Sequence, residues 1–163
     1  MCDHRSWLAG AMVLLVGVCI AAEPEPKPRL KLSKEEQLLV DLTNQARAKK
    51  HLPALKPNPI LFKVARAHAA NMAKLGEMKH TLNGKNPQQR IEAAGYDYGW
   101  SGENIAVSFG GVRPKPIFTG WMNSKIHHDN ILRPQFTEIG IGIASNDKGD
   151  YYYAQEFGSP RER

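Results

Sequence analysis

The sequence predicts an α+β domain in which helices pack on an antiparallel sheet, and three observations lead there. Ser33 and Glu36 form a capping box ahead of Leu38, Leu39, Leu42 and Ala46, which keep helical spacing. Asn58-Pro59 opens a longer run in which Leu61, Val64, Ala65, His68, Ala69, Met72 and Leu75 recur on one helical face. Near the end, EIGIGIAS and DYYYAQEFG are two β-rich runs separated by the turn signal NDKG. Two helices, a mixed middle and a terminal hairpin fit helices layered on a sheet.

Residues 8–22 form an apolar run of about fifteen residues behind Arg5, short for a membrane span and ending in small residues. Residues 1–22 are therefore expected to be a cleaved secretory signal peptide; an uncleaved anchor and lipidation at Cys19 are the alternatives. Both cysteines, Cys2 and Cys19, fall in this segment, so the processed domain carries no thiol chemistry and no disulfide. Proline alternates with charge just behind it, marking residues 23–34 as a stiff spacer. The domain is expected over 35–158, with a solvated tail at 159–163.

Within the domain, the first helix is expected over about 34–50 and the second from 59 to Gly76. Asn86-Pro87 with Gln89 opens a short third helix closing at Gly95. Residues 104–109 (NIAVSF) read as a strand ending at Gly110-Gly111. A fourth helix is expected from Pro116 to Ser124, with Ile117, Trp121 and Ser124 on one face. The hairpin 138–158 completes the sheet, with Trp121 and Tyr151–Tyr153 in the core.

Composition narrows the function. Of the 163 residues 42% are apolar and 23% charged, which excludes a disordered chain, a collagen-like repeat and a multi-pass membrane protein. Lys and Arg number 22 against 16 acidic residues, a net +6 that suits an anionic surface, yet no run of five basic residues points to nucleic acid. There is no nucleophile elbow, phosphate loop or HExxH. Polar residues instead gather beside turns: His80-Thr81, Gly102-Glu103-Asn104, and Ser124 to Asn130. Taken singly, His80 reads as a solvated loop residue more readily than as a ligand, and Glu103 reads as an exposed turn carboxylate. The adjacent His127 and His128 point in different directions, and His68, inside an apolar stripe, reads as a buried, hydrogen-bonded core histidine.

Taken together these residues resemble the bacterial branch of the CAP superfamily (cysteine-rich secretory proteins, antigen 5 and pathogenesis-related proteins). The resemblance is carried by Asn44 and Arg47, by Ala65–Ala69, by His80-Thr81, by Arg90–Tyr96 and by GENIA (Gly102–Ala106). The run from Trp121 to Leu132 (W-M-x-S-x-x-H-x-x-N-I-L), E-I-G-I-G and Y-x-Q-x-F-G complete it. It implies an α-β-α sandwich with a central antiparallel sheet and a cleft in which two histidines hold a divalent metal, often zinc. Carried over, the histidines are His80 and His127, and the first glutamate is Glu103. His128 stands where bacterial members usually have Arg. The second glutamate is missing, because Ser124 occupies its position, and Glu138 is a candidate substitute.

Two neutral imidazoles leave zinc positions open to water or ligand. The expected function is an exported binding module, secreted or held in the periplasm or cell envelope. It would take a lipid, peptide or envelope component at a site of His80, His127, Ser124 and Asn104. The alternative is a metal-assisted hydrolase of peptides or envelope polymers with Glu103 as general base.

Overall fold

The structure, a computed structural model, describes residues 30–162; the expected signal peptide, the spacer as far as residue 29 and Arg163 lie outside them. The elements run α1 (Lys34–Ala48), β1 (Lys56–Pro57), α2 (Pro59–Leu75), α3 (Pro87–Ala93), β2 (Tyr98–Ser108), α4 (Pro114–Asn123), α5 (Lys125–Ile131), β3 (Glu138–Ser145) and β4 (Tyr151–Pro160). No helix among the described residues is long and apolar enough to cross a membrane.

Local chemistry sets the helix ends where the sequence places them. Ser33 Oγ accepts from the Glu36 amide while Glu36 Oε2 accepts from the Ser33 amide, a closed capping box. Asn58 Oδ1 takes the amides of Ile60 and Leu61 at the start of α2, and Gly76 ends that helix at φ 66°. Leu30 and Leu32, assigned to the spacer, pack on the main core, and Arg66 ties the Lys31 carbonyl to Glu36.

The sheet has the order β1-β3-β4-β2. β3, β4 and β2 are antiparallel, but β1 pairs in parallel with β3, so the sheet is mixed rather than purely antiparallel. β1 is two residues of Lys and Pro with no alternating pattern, which is why the sequence is silent about it. Alternation along the strands divides the side chains between two layers. One face carries Ile105, Tyr152 and Ala154 against Ala65, Ala69 and Met72 of α2. The other carries Ile139, Ile141, Tyr153 and Phe157 against Leu39 and Val40 of α1, Trp121 of α4 and Ile131 of α5. The result is an α-β-α sandwich.

The approach of α2 to β3 depends on glycine. A Cβ added to Gly140 would collide with the Leu61 carbonyl group, and one at Gly142 with that of Ala65. Because the obstacle is helix backbone, no rotamer change relieves it. Gly140→Ala should cost about 3 kcal/mol, the upper end for overpacking, in a urea unfolding titration; a loss below about 1 kcal/mol would mean the layers are not closely locked here.

Candidate functional site

The site is built on β2, an edge strand. Its register with β4 places Glu103 opposite Glu156, and the register of β4 with β3 places Glu156 opposite Gly140. The Glu103 carbonyl turns away from β4 and accepts from Asn130 Nδ2 at 3.2 Å, as the Ile105 carbonyl accepts from Trp121 Nε1 at 3.1 Å. Glu103 and Glu156 are thus a non-hydrogen-bonded antiparallel pair, the geometry that brings facing side chains closest.

Around Glu103 three basic groups converge. His80 Nδ1 lies 2.7 Å from Oε1, Arg90 Nη2 donates to Oε2 at 2.5 Å, and His68 Nε2 stands 3.5 Å from Oε2. The Glu103 side chain is 1% exposed and that of His68 0%, whereas His80 is 51% exposed. Arg90 also donates to the carbonyls of His80 and Lys85, so one guanidinium fixes both the carboxylate and the loop bearing His80.

Burial alone would push the Glu103 carboxyl above its usual range, but the hydrogen bond from His80 and the charge of Arg90 outweigh it and hold the carboxyl below that range. Glu156, fully buried and facing that negative charge, is pushed well above the carboxylate range. Burial lowers His68 despite the pull of Glu103, leaving a neutral ring. His127 is lowered by burial and then by the charge of His80. With Glu103 ionised, its bond to His80 requires the hydrogen on Nδ1, which leaves Nε2 as the free nitrogen.

His127 reaches the same region through α5. Asn104 Nδ2 donates to the His127 carbonyl at 3.1 Å and to Gln155 Oε1 at 3.0 Å, while its Oδ1 accepts from Asn130 at 2.9 Å. Gln155 in turn donates to Thr43 on α1. Asn104 is completely buried, so its amide is committed to docking α5 on β2. Ser124 joins α4 to α5, with its carbonyl accepting the His128 amide and its hydroxyl making no cap bond. His128 sits outside this cluster beside Asp129. Glu138 Oε2 accepts from Tyr96 Oη and Asn58 Nδ2 at the start of α2.

Three site residues escaped the sequence reading. Arg90 lies in a stretch quoted above for its likeness to a family, without a role. His68 is buried as expected but not hydrogen-bonded: neither ring nitrogen has a partner among the described residues. Glu156 occupies an unassigned position before Phe157, and only the pairing of β2 with β4, strands far apart in sequence, brings it to Glu103.

This architecture can be compared with known proteins. A profile of the cysteine-rich secretory protein family, CAP, matches residues 40–157. The chain belongs to the CAP family. An uncharacterized Bacillus subtilis protein, YkwD, is 37% identical over 116 residues, 71% of this chain and 44% of its own length. The chain thus spans less than half of that relative. An outer surface protein of Borrelia burgdorferi has the same fold at TM-score 0.74 and 22% identity, covering 81% of this chain and 97% of that one. An extracellular SCP-domain protein of Bacillus anthracis matches at TM-score 0.62 and 29% identity, over 76% of this chain and 40% of that one.

Proposed function

We propose that this CAP domain is an exported binding module that presents His80 and His127 at the β2 edge to a divalent cation, with zinc the best match to paired imidazoles, and through it to an extracellular lipid, peptide or envelope component. The observation that carries this reading is the 2.7 Å contact of Glu103 with His80 Nδ1. A buried carboxylate on one ring nitrogen fixes tautomer and orientation and makes the other nitrogen a better ligand. His127 is held neutral, the form that coordinates metal, and its buried Nδ1 has no partner among the described residues. Bound there, the cation would supply a Lewis acid for anionic or carbonyl groups of a ligand.

Among the described residues no group of three or more His, Cys, Asp or Glu is placed to hold a metal, so two imidazoles imply an open site of modest affinity. Hydrolysis fits less well. A general base must reach the water it deprotonates, yet both oxygens of Glu103 are engaged and its side chain is closed to solvent. The role that suits Glu103 is orientation of His80. Export is supported by the apolar leader and by similarity to proteins described as extracellular or outer-surface.

Calorimetric titration of zinc at pH 7.5 tests the reading. His80→Ala and His127→Ala should each weaken binding more than about tenfold, while His128→Ala changes it less than about twofold. Affinity should fall on acidification, because protons compete with the cation for the imidazoles, at His127 only below the usual histidine range since burial lowers it. Absence of zinc binding by the wild type, or equal loss in His128→Ala, would overturn it.

A further inference from the structure

Glu156 is the least explained group in the molecule. It is completely buried and neither of its oxygens has a donor among the described residues. None of the charged or titratable groups near it supplies a donor to its oxygens. Arg90 on α3 and His80 in the preceding loop both bond Glu103, and His68 on α2 is neutral and itself unpaired. From β3 the facing residue is Gly140, and Glu138 farther along that strand is held by Tyr96 and Asn58. What lies directly across from Glu156 is Glu103, a second acceptor.

Two carboxylates facing each other beside one arginine cannot both be ionised in a dry site without one negative charge left uncompensated. A single proton resolves it. Glu103 keeps its charge, matched by Arg90, and the other acid becomes a donor aimed at it. We propose that Glu156 is a neutral carboxylic acid whose hydroxyl donates to Glu103, making it the positioning residue that holds the carboxylate behind His80. The cluster then contains one negative and one positive charge, and Glu103 receives donors from three sides. Burial and the neighbouring charge of Glu103 both favour the protonated form of Glu156. This inference rests on the reading of Glu103 as the group that orients His80.

The sign of the linkage follows from one extra proton in the folded state. Above the unfolded value of about 4.3, folded Glu156 stays protonated while unfolded Glu156 ionises, so its contribution to stability declines as pH rises, tenfold in the unfolding constant per pH unit, until the folded acid itself ionises. Glu156→Gln keeps the shape and supplies an amide N–H to Glu103 with no proton to lose. The ratio of wild-type to Glu156→Gln unfolding constants should therefore climb about tenfold per pH unit from pH 5 upward, a slope that mere packing would not produce. Parallel stability curves would overturn the proposal.

Infrared spectra of wild-type protein carrying ¹³C-labelled glutamate give a second measurement that requires no variant. At pH 6.5 solvent-exposed glutamates are ionised, so one protonated glutamate carbonyl band should persist, and it should vanish in Glu156→Gln. Its absence from the wild type would overturn the proposal. In zinc titrations Glu156→Gln should bind within about twofold of wild type and Glu156→Leu at least fivefold more weakly, because only the amide restores a donor. If zinc fails to bind the wild type while the protonated band and pH slope are present, the metal reading falls and the neutral acid stands.

Discussion

Arg47→Met is expected to cost about 3 kcal/mol, roughly 10 °C in Tm for a domain of this size. Arg47 is completely buried, yet what it meets is carbonyl oxygen. Nε donates to Pro53, Nη1 to Ile131 and Arg133, and Nη2 to Phe136, at 2.9–3.1 Å. Two effects oppose each other on substitution. Methionine removes the cost of burying a cation, which burial alone makes substantial. It also leaves four acceptors without donors, each worth about 1–3 kcal/mol when buried. Four orphaned acceptors outweigh one relieved cation, so the net change is a loss. Arg47→Lys should recover little of it, since an ammonium has three donors and cannot match a planar fork spread over four carbonyls. Denaturant unfolding measures the effect, and a change under about 1 kcal/mol would mean the loops find other donors. Because three of these carbonyls, those of Ile131, Arg133 and Phe136, lie at the end of α5 and in the segment leading to β3, hydrogen exchange should also rise in α5, which carries His127.

The sequence announces Arg47 only as part of a family pattern, and that difference recurs through the molecule. α1, α2 and β3 are legible because capping residues and apolar periodicity are local signals, and β3 matches its expected span residue for residue. β2 is expected from 104 but begins at Tyr98, because Gly99 and Gly102 interrupt a strand pattern that pairing with β4 then overrides. The sequence carries no local signal for α5. α5 buries only Ile131, so it has no apolar stripe, and it exists because Asn104 and Asn130 bond it to β2. The helix expected from Pro116 to Ser124 is α4, which begins two residues earlier and ends at Asn123 on the extended backbone of Ser124 (φ −105°, ψ 119°).

The site divides along the same line. His80 and Glu103 were found by resemblance and do meet. The groups that determine the chemistry of Glu103 come from α3, α2 and β4, separated from it by 13, 35 and 53 positions of sequence, and no local pattern links them. The missing second carboxylate illustrates this. The family resemblance directs attention to Ser124 and Glu138, whereas sheet register puts Glu156 against Glu103. Strand pairing, a property of the assembled fold, selects the neighbour.

Glu103→Gln should cost about 3 kcal/mol at pH 7 and weaken zinc binding at least tenfold. The side chain keeps its shape but loses its charge. Arg90, 12% exposed, then has no carboxylate, and the single amide oxygen cannot serve both His80 and Arg90. The new amide NH₂ faces Glu156, and that acid, now opposite a donor and near an unmatched Arg90, should ionise and recover part of the loss. The pH dependence has a definite sign. Glu103 is held below its usual range in the folded state, so between that lowered value and about 4.3 the unfolded chain binds more protons, and stability falls as the solution is acidified. The gap between wild type and Glu103→Gln should therefore open as pH rises to about 4.3 and shrink again toward neutrality, because Glu156 stays protonated only in the wild type and costs it stability there. Without a carboxylate to demand the Nδ1 hydrogen, the ¹⁵N spectrum of His80 should show both tautomers instead of one. If Glu103→Gln unfolds like the wild type at pH 7, binds zinc as tightly and leaves His80 in a single tautomer, then Glu103 does not organise this site.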